Sequence, residues 1–158
     1  MSTTLPIILA LNNIRSLHNT GAIFRTADAL NLEQLILGGL TPVPPRPEID
    51  KTALGACQTV AFRHAPRLES SLTTLKSEGY TLYAVELTPT ATPLYSLQIC
   101  FPAVFVLGHE RMGVEPSIIE LCQHTVALPM RGQSAYSLNV SNAAAVVGYE
   151  ALRQWQAQ

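Results

Sequence analysis

Residues 128–154 read LPMRGQSAYSLNVSNAAAVVGYEALRQ, and this stretch carries the most specific pattern in the chain. It runs from the end of a predicted strand, Thr125–Leu128, into the predicted helix Leu138–Trp155. Polar residues that commonly cap helices crowd the start of that helix: Ser137, Asn139 and Ser141. The small residues of Ala143–Gly148 predict close packing of the helix against another backbone. The polar run is long for a cap, which indicates a ligand-side loop, although capping by itself stays open.

Apolar strands and helical segments alternate along the rest of the chain. We predict further strands at Leu5–Leu11, Gln34–Leu37, Gln58–His64, Tyr80–Leu87 and Ala103–Leu107. We predict further helices at Thr20–Leu30, Glu48–Leu54, Arg67–Glu78 and Pro116–Cys122, the first capped by Asn19 or Thr20. This alternation is typical of an α/β fold with a mostly parallel sheet flanked by helices, where ligands bind beyond the carboxyl ends of the strands. We therefore expect residues 1–158 to form a single domain.

The composition argues against several classes of protein. With 47% hydrophobic and 13% charged residues, the chain is too apolar to be disordered. No apolar run approaches the roughly 20 residues that span a bilayer, so we expect no membrane partner. Met1–Pro6 lacks the features of a secretory signal, which favours the cytoplasm. Three widely spaced cysteines, Cys57, Cys100 and Cys122, predict buried free thiols, with neither a disulfide framework nor a metal site.

The charge distribution is compatible with two interpretations. A formal net charge of −1 does not favour nucleic acid as a partner, because binders of nucleic acid usually carry a basic surplus. Basic residues are nevertheless more frequent in the first part of the chain, and they could form a modest basic face: Arg15, Arg25, Arg46, Lys51, Arg63 and Arg67. Scattered, solvated charges are the simpler alternative.

Residues 18–25, HNTGAIFR, form the first of two further candidate ligand segments. A helix start built from small residues offers free backbone N–H groups, which suit an anion such as phosphate. Arg25 lies about one turn into this helix, where its guanidinium could reach the same ligand. A capped helix with a surface arginine explains the same spacing and stays open.

The second candidate segment, residues 106–113, reads VLGHERMG. A strand that runs into Gly108 lets a ligand approach the backbone closely. The carboxylate of Glu110 could pair with Arg25 or Arg111, or bind a ribose hydroxyl. An ordinary connection from a strand into a turn is the alternative.

The order of these segments resembles a known family. NTGAIFRTADA, FVLGHERMGVEP and LPMRGQSAYSLNVSNAAAVVGYEALRQ are similar to motifs one, two and three of the SpoU/TrmH family of SPOUT methyltransferases. The resemblance implies a SPOUT-type α/β fold with a C-terminal trefoil knot. It also implies S-adenosylmethionine (AdoMet) as cofactor, RNA as substrate, and a homodimer whose active site combines two subunits. The first strand begins near Leu5, so we expect no N-terminal RNA-binding domain of the kind found in several members.

The resemblance also implies roles for individual residues. The cofactor-binding set is Leu87, Gly108, Leu128, Met130, Ser137 and Leu138. The catalytic set is Asn19, Arg25, Glu110, Ser137 and Asn139. Family mechanisms assign removal of the hydroxyl proton to the arginine of motif one, but a guanidinium is essentially always protonated. We therefore expect Arg25 to hold a phosphate of the target and to stabilise the developing alkoxide, and we leave the proton acceptor open.

The leading hypothesis is thus an AdoMet-dependent RNA 2′-O-ribose methyltransferase, with tRNA favoured as substrate and rRNA next. A second hypothesis is a non-catalytic paralogue that binds RNA or AdoMet, against which the intact candidate catalytic set argues. A third is a flavodoxin-like module for a small ligand, which the motif-three signature does not favour.

Overall fold

A single sheet of seven parallel strands organises the protein, which we describe from a computed structural model covering residues 3–158. The strands lie in the order β3-β2-β1-β6-β4-β7-β5. Their bounds are β1 Leu5–Asn12, β2 Leu32–Gly38, β3 Phe62–Ala65, β4 Thr81–Val85, β5 Thr92–Pro93, β6 Ala103–Gly108 and β7 His124–Ala127. The predicted α/β class with a parallel sheet is confirmed.

Five helices cover the two faces of the sheet. Their bounds are α1 Leu17–Leu30, α2 Pro47–Ala53, α3 Leu68–Ser77, α4 Pro116–Leu121 and α5 Val140–Gln156. Short 3-10 turns lie at Ala56–Gln58 and Leu94–Ser96. Residues of α1, α2 and α5 share one apolar core with the sheet, and residues of α3 and α4 share the other.

The central strands β1 and β6 are buried on both faces. Leu9 and Phe105, which pair across the two strands, belong to the core under α1 and α5, whereas Ile8 and Val104 belong to the core under α3 and α4. All four side chains are at most 1% exposed. Strands buried on both faces carry continuous apolar runs instead of an alternating pattern, which is why the sequence signal for these strands is strong.

The small residues of α5 serve the protein's own core. Ala144, Val147 and Ala151 are fully buried, and a Cβ on Gly148 would lie only 2.4 Å from Cδ1 of Leu30 in α1. The small residues therefore pack α5 against α1, but the atom nearest to Gly148 belongs to the side chain of Leu30 and not to a backbone. The outward side of α5 keeps Tyr149, which is 52% exposed.

Several predicted boundaries were wrong. The helix α1 begins at Leu17 and its cap is Ser16, whose Oγ accepts from the backbone N–H of Asn19 at 3.0 Å, so neither Asn19 nor Thr20 is the cap. The strand predicted at Gln58–His64 starts at Phe62, because the residues before it turn in a 3-10 helix. The helix predicted from Leu138 begins at Val140, with Asn139 as its cap.

Two smaller features also differ from expectation. The strand β5, only two residues long, carries too little sequence pattern for prediction. The cysteines are free thiols, but Cys100 is exposed and the other two are only partly buried.

Within residues 3–158, no helix has the length and apolar character needed to cross a membrane. The same residues contain no cluster of three or more His, Cys, Asp or Glu side chains suited to a metal ion.

Candidate active site

A cleft of about 340 Å³ opens where β4, β6 and β7 end and α5 begins. The carboxyl ends of parallel strands are the usual ligand edge of an α/β sheet. The structure brings all six residues of the predicted cofactor set to the lining of this cleft: Leu87, Gly108, Leu128, Met130, Ser137 and Leu138. Three segments that are far apart in sequence thus meet at one edge of the sheet.

The loop after β6 folds tightly on itself. His109 and Gly113 exchange backbone hydrogen bonds of 3.1 and 2.9 Å, and Nδ1 of His109 accepts from the backbone N–H groups of Arg111 and Met112 at 3.0 Å. A Cβ on Gly108 would lie 2.2 Å from the backbone of Gly113. Glycine at position 108 is therefore required for the loop to fold back against its own strand.

Glu86 is a cleft residue that sequence reasoning missed. Its carboxylate accepts from the backbone N–H of Val114 at 2.9 Å and from that of Leu87 at 3.2 Å. Through these bonds it ties the loop after β4 to the loop after β6, and both loops line the cleft. The sequence offers one signal, a carboxylate near the end of the predicted strand Tyr80–Leu87.

Glu110 binds the start of α1. Its carboxylate accepts from the backbone N–H groups of Arg15 and Ser16 at 3.2 and 3.1 Å, and from Nδ2 of Asn19 at 3.4 Å. Burial alone would raise the pKa of this carboxyl group, but the hydrogen bonds from the backbone and from Asn19 outweigh it, so the pKa lies below its ordinary value. Glu110 is therefore a carboxylate at neutral pH.

The anticipated pairing of Glu110 with an arginine does not occur. Within residues 3–158, the ion pairs are Arg46 with Glu48 and Arg153 with Glu150. The donors to the Glu110 carboxylate include the backbone N–H groups of Arg15 and Ser16, which precede Leu17, the first residue of α1, and have no partner inside the helix.

Asn139 connects motif three to motif one. Its Oδ1 accepts from the backbone N–H groups of Ser141 and Asn142 at 2.9 and 3.3 Å, which caps α5. Its Nδ2 donates to Oδ1 of Asn19 at 3.1 Å. Since Asn19 also donates to Glu110, one hydrogen-bonded chain joins a residue from each of the three motifs. Asn19 is 8% exposed, so these hydrogen bonds are partly shielded from water.

The candidate catalytic residues divide between two places. Glu110, Ser137 and Asn139 line the cleft, and Asn19 is hydrogen-bonded to two of them. Arg25 does not line the cleft. It is exposed on α1 and lines a second cleft between α1, α2 and the start of α5.

Comparison with known proteins agrees with this geometry. The sequence model of the SpoU rRNA methylase family matches residues 6–149. The tRNA (guanosine(18)-2′-O)-methyltransferase of Thermus thermophilus is 33% identical over 148 residues, which cover 94% of this chain and 75% of the relative.

Two solved structures share the fold. One, described as giving insight into the 2-OH methylation of C/U34 on tRNA, superposes with a TM-score of 0.83 at 25% identity, over 96% of this chain and 97% of that one. The other is the SpoU methyltransferase AviRb from Streptomyces viridochromogenes in complex with AdoMet, with a TM-score of 0.84. At 24% identity, with this chain covering 63% of it, AviRb supports the fold alone.

These matches exclude the flavodoxin-like alternative, because they extend over nearly the whole chain. The family match includes the first two motifs and the third as far as Tyr149. The family match and the relative from Thermus thermophilus together show that this chain belongs to the SpoU rRNA methylase family.

Proposed function

We propose that this protein is an AdoMet-dependent RNA (ribose-2′-O)-methyltransferase. The observation that carries the proposal is the convergence of motifs two and three on one cleft, to which motif one is joined by the hydrogen bonds that run from Glu110 through Asn19 to Asn139. Loops that only connect a strand to a helix do not need side-chain hydrogen bonds between residues that are 91 and 120 positions apart in the sequence.

The cleft fits the proposed cofactor in size and chemistry. Its volume of about 340 Å³ lies within the usual range for small-molecule sites. Leu87, Leu128 and Leu138 offer apolar walls for an adenine ring, and Gly108 leaves the backbone open to close approach. The lining carries the carboxylates of Glu86 and Glu110 against the one guanidinium of Arg111, and this balance favours a ligand that carries positive charge. When bound, AdoMet supplies an electrophilic methyl group on a sulfonium centre.

The chain's own residues would align and polarise the RNA. Asn139, fixed by its bonds to α5 and Asn19, presents a rigid amide at the cleft, and Ser137 lies beside it. Arg25 carries a permanent positive charge, so its role is to hold a phosphate of the target and to stabilise the alkoxide that develops on the 2′-oxygen. The identity of the proton acceptor is not assigned to any residue.

We favour tRNA as the substrate. The relative from Thermus thermophilus is named for tRNA, and the structure concerned with C/U34 on tRNA matches this chain over nearly its whole length. rRNA is the second candidate, after the name of the family. RNA modification also favours the cytoplasm as the compartment.

Three further features complete the proposal. We propose that residues 1–158 act as one SPOUT domain and that two copies of it form a dimer. The trefoil knot is supported by the position of β7 between β4 and the earlier strand β5. It is also supported by Gln154 of α5, whose side chain bonds to the backbone of Leu97 and Ile99 at 2.8 and 2.9 Å.

The decisive experiment combines cofactor binding with methyl transfer. Calorimetry should detect one AdoMet or S-adenosylhomocysteine per subunit, and single-turnover assays should show labelled methyl entering bulk tRNA at a ribose. Absence of binding at millimolar ligand would reject the cofactor. Binding without transfer to tRNA or rRNA would favour the non-catalytic paralogue. Nucleoside mass spectrometry on RNA from a deletion strain would then identify the target.

A further inference from the structure

A second cleft, of about 370 Å³, lies between α1, α2 and the first turn of α5. Its lining includes His18 and Arg25 of α1, Lys51 of α2, and Asn142 of α5. It contains no aspartate or glutamate. Two permanent cations and a histidine therefore face one concave surface that carries no negative charge.

The positive charges of this cleft are not neutralised elsewhere. Within residues 3–158, neither Arg25 nor Lys51 has a carboxylate within ion-pair distance or a side-chain hydrogen bond. Other basic residues of the same part of the chain are engaged: Arg46 lies 3.8 Å from Glu48, and Nη1 of Arg63 donates to Ser71 at 2.9 Å. Of the basic residues considered from the sequence, Arg25 and Lys51 line this cleft.

A close contact between α1 and α2 places Lys51 beside Arg25. Thr52 Oγ1 donates to the carbonyl oxygen of His18 at 2.9 Å. A Cβ on Gly21 would lie 2.0 Å from that same Oγ1 and 2.2 Å from the carbonyl oxygen of Ile49. Glycine at position 21 in motif one is therefore what allows α2 to approach α1 closely enough for Lys51 to line the cleft.

The second cleft adjoins the cofactor cleft. Asn139 and Val140 line the cofactor cleft, and the next two residues, Ser141 and Asn142, line the second one. The two clefts therefore meet at the first turn of α5.

We propose that the second cleft binds a backbone phosphate of the RNA substrate and that Lys51 is a substrate-binding residue outside the three motifs. This inference rests on the proposed function. Lys51 supplies a point charge, and Arg25 supplies a planar fork for the phosphate oxygens. The ring of His18 and the hydroxyl group of Thr26 add donors around the same space.

The experiment measures RNA affinity in Lys51→Gln as a function of salt concentration. Removing one phosphate contact should weaken binding of bulk tRNA roughly three- to tenfold at low salt and reduce the slope of log K against log salt by about 1. AdoMet affinity should stay unchanged. Arg67→Gln is the matched control, because Arg67 is an exposed cation at the start of α3, on the opposite face of the sheet.

The outcomes separate this inference from the proposed function. If Lys51→Gln keeps both the wild-type affinity and the wild-type salt slope, the phosphate cleft is overturned, whether or not the protein transfers methyl groups. An equal loss in Arg67→Gln would also overturn it, since general electrostatics would then explain the effect. If the wild type neither binds AdoMet nor methylates RNA, the proposed function fails, while a selective slope change in Lys51→Gln would still support an RNA phosphate in this cleft.

Discussion

Replacing Gly108 by alanine tests the geometry of the cofactor cleft most directly. The added Cβ would lie 2.2 Å from the carbonyl carbon of Gly113 and from the nitrogen of Val114. Ordinary van der Waals contact begins at 3.4 Å, so the backbone of the loop would have to move by about 1.2 Å. No flexible side chain is available to absorb this shift, because both atoms belong to the backbone.

We expect Gly108→Ala to lower the free energy of unfolding by about 1–3 kcal/mol, the usual cost of overpacking. For a chain of this size that corresponds to a decrease in Tm of about 2–12 °C. The displaced loop carries part of the cleft lining, so AdoMet affinity should fall by on the order of tenfold, or about 1.4 kcal/mol. Thermal unfolding and calorimetry at one protein concentration measure the two effects.

Gly132→Ala is the matched control, because a Cβ at position 132 meets no atom within 4 Å and the backbone there has no positive φ. Gly132→Ala should leave the free energy of unfolding unchanged or raise it by up to about 1 kcal/mol, because alanine lowers the conformational entropy of the unfolded chain. If Gly108→Ala unfolds at the wild-type temperature and binds AdoMet with wild-type affinity, the close approach at Gly108 does not exist in solution and the cleft geometry is wrong.

Three further predictions concern the site and the assembly. Arg25→Ala should cut the rate of single-turnover methylation by on the order of 10²-fold or more without changing AdoMet affinity. Arg25→Lys should also methylate slowly, because lysine lacks the planar guanidinium of arginine. If Arg25→Ala keeps a rate near that of the wild type, Arg25 is a structural residue. The lowered pKa of Glu110 stabilises the folded state above pH 4.5, and this stabilisation is lost as the pH falls through the pKa of the folded state. Because Glu110→Gln lacks this titrating group, its Tm should fall less than that of the wild type between pH 6 and 3. Parallel curves of Tm against pH for the two proteins would contradict this. Sedimentation should show a dimer, and a species of only 17.1 kDa would reject it.

Much of the fold follows from local pattern. Strands such as β1 and β6 are buried on both faces, so their continuous apolar runs are visible in the sequence. The start of α5 is also a local feature, because Asn139 caps the residues that directly follow it. The sequence did not predict β5, which is only two residues long, and it placed the start of β3 too early. Both segments carry little periodic pattern of their own.

Periodicity and motifs of contiguous residues were enough to predict the class of fold, the family and six residues of the cleft lining, but not Glu86. The partners of the site residues follow from tertiary packing. Glu110 bonds to the start of α1 instead of an arginine, Glu86 ties two loops together, and Lys51 joins Arg25 at the second cleft. These partners come from different parts of the chain: Val114 is 28 positions from Glu86 in the sequence, and Glu110 is 91 positions from Asn19. Hydrogen bonds and charge clusters of this kind depend on which elements pack together, and one chain's local pattern does not encode that choice.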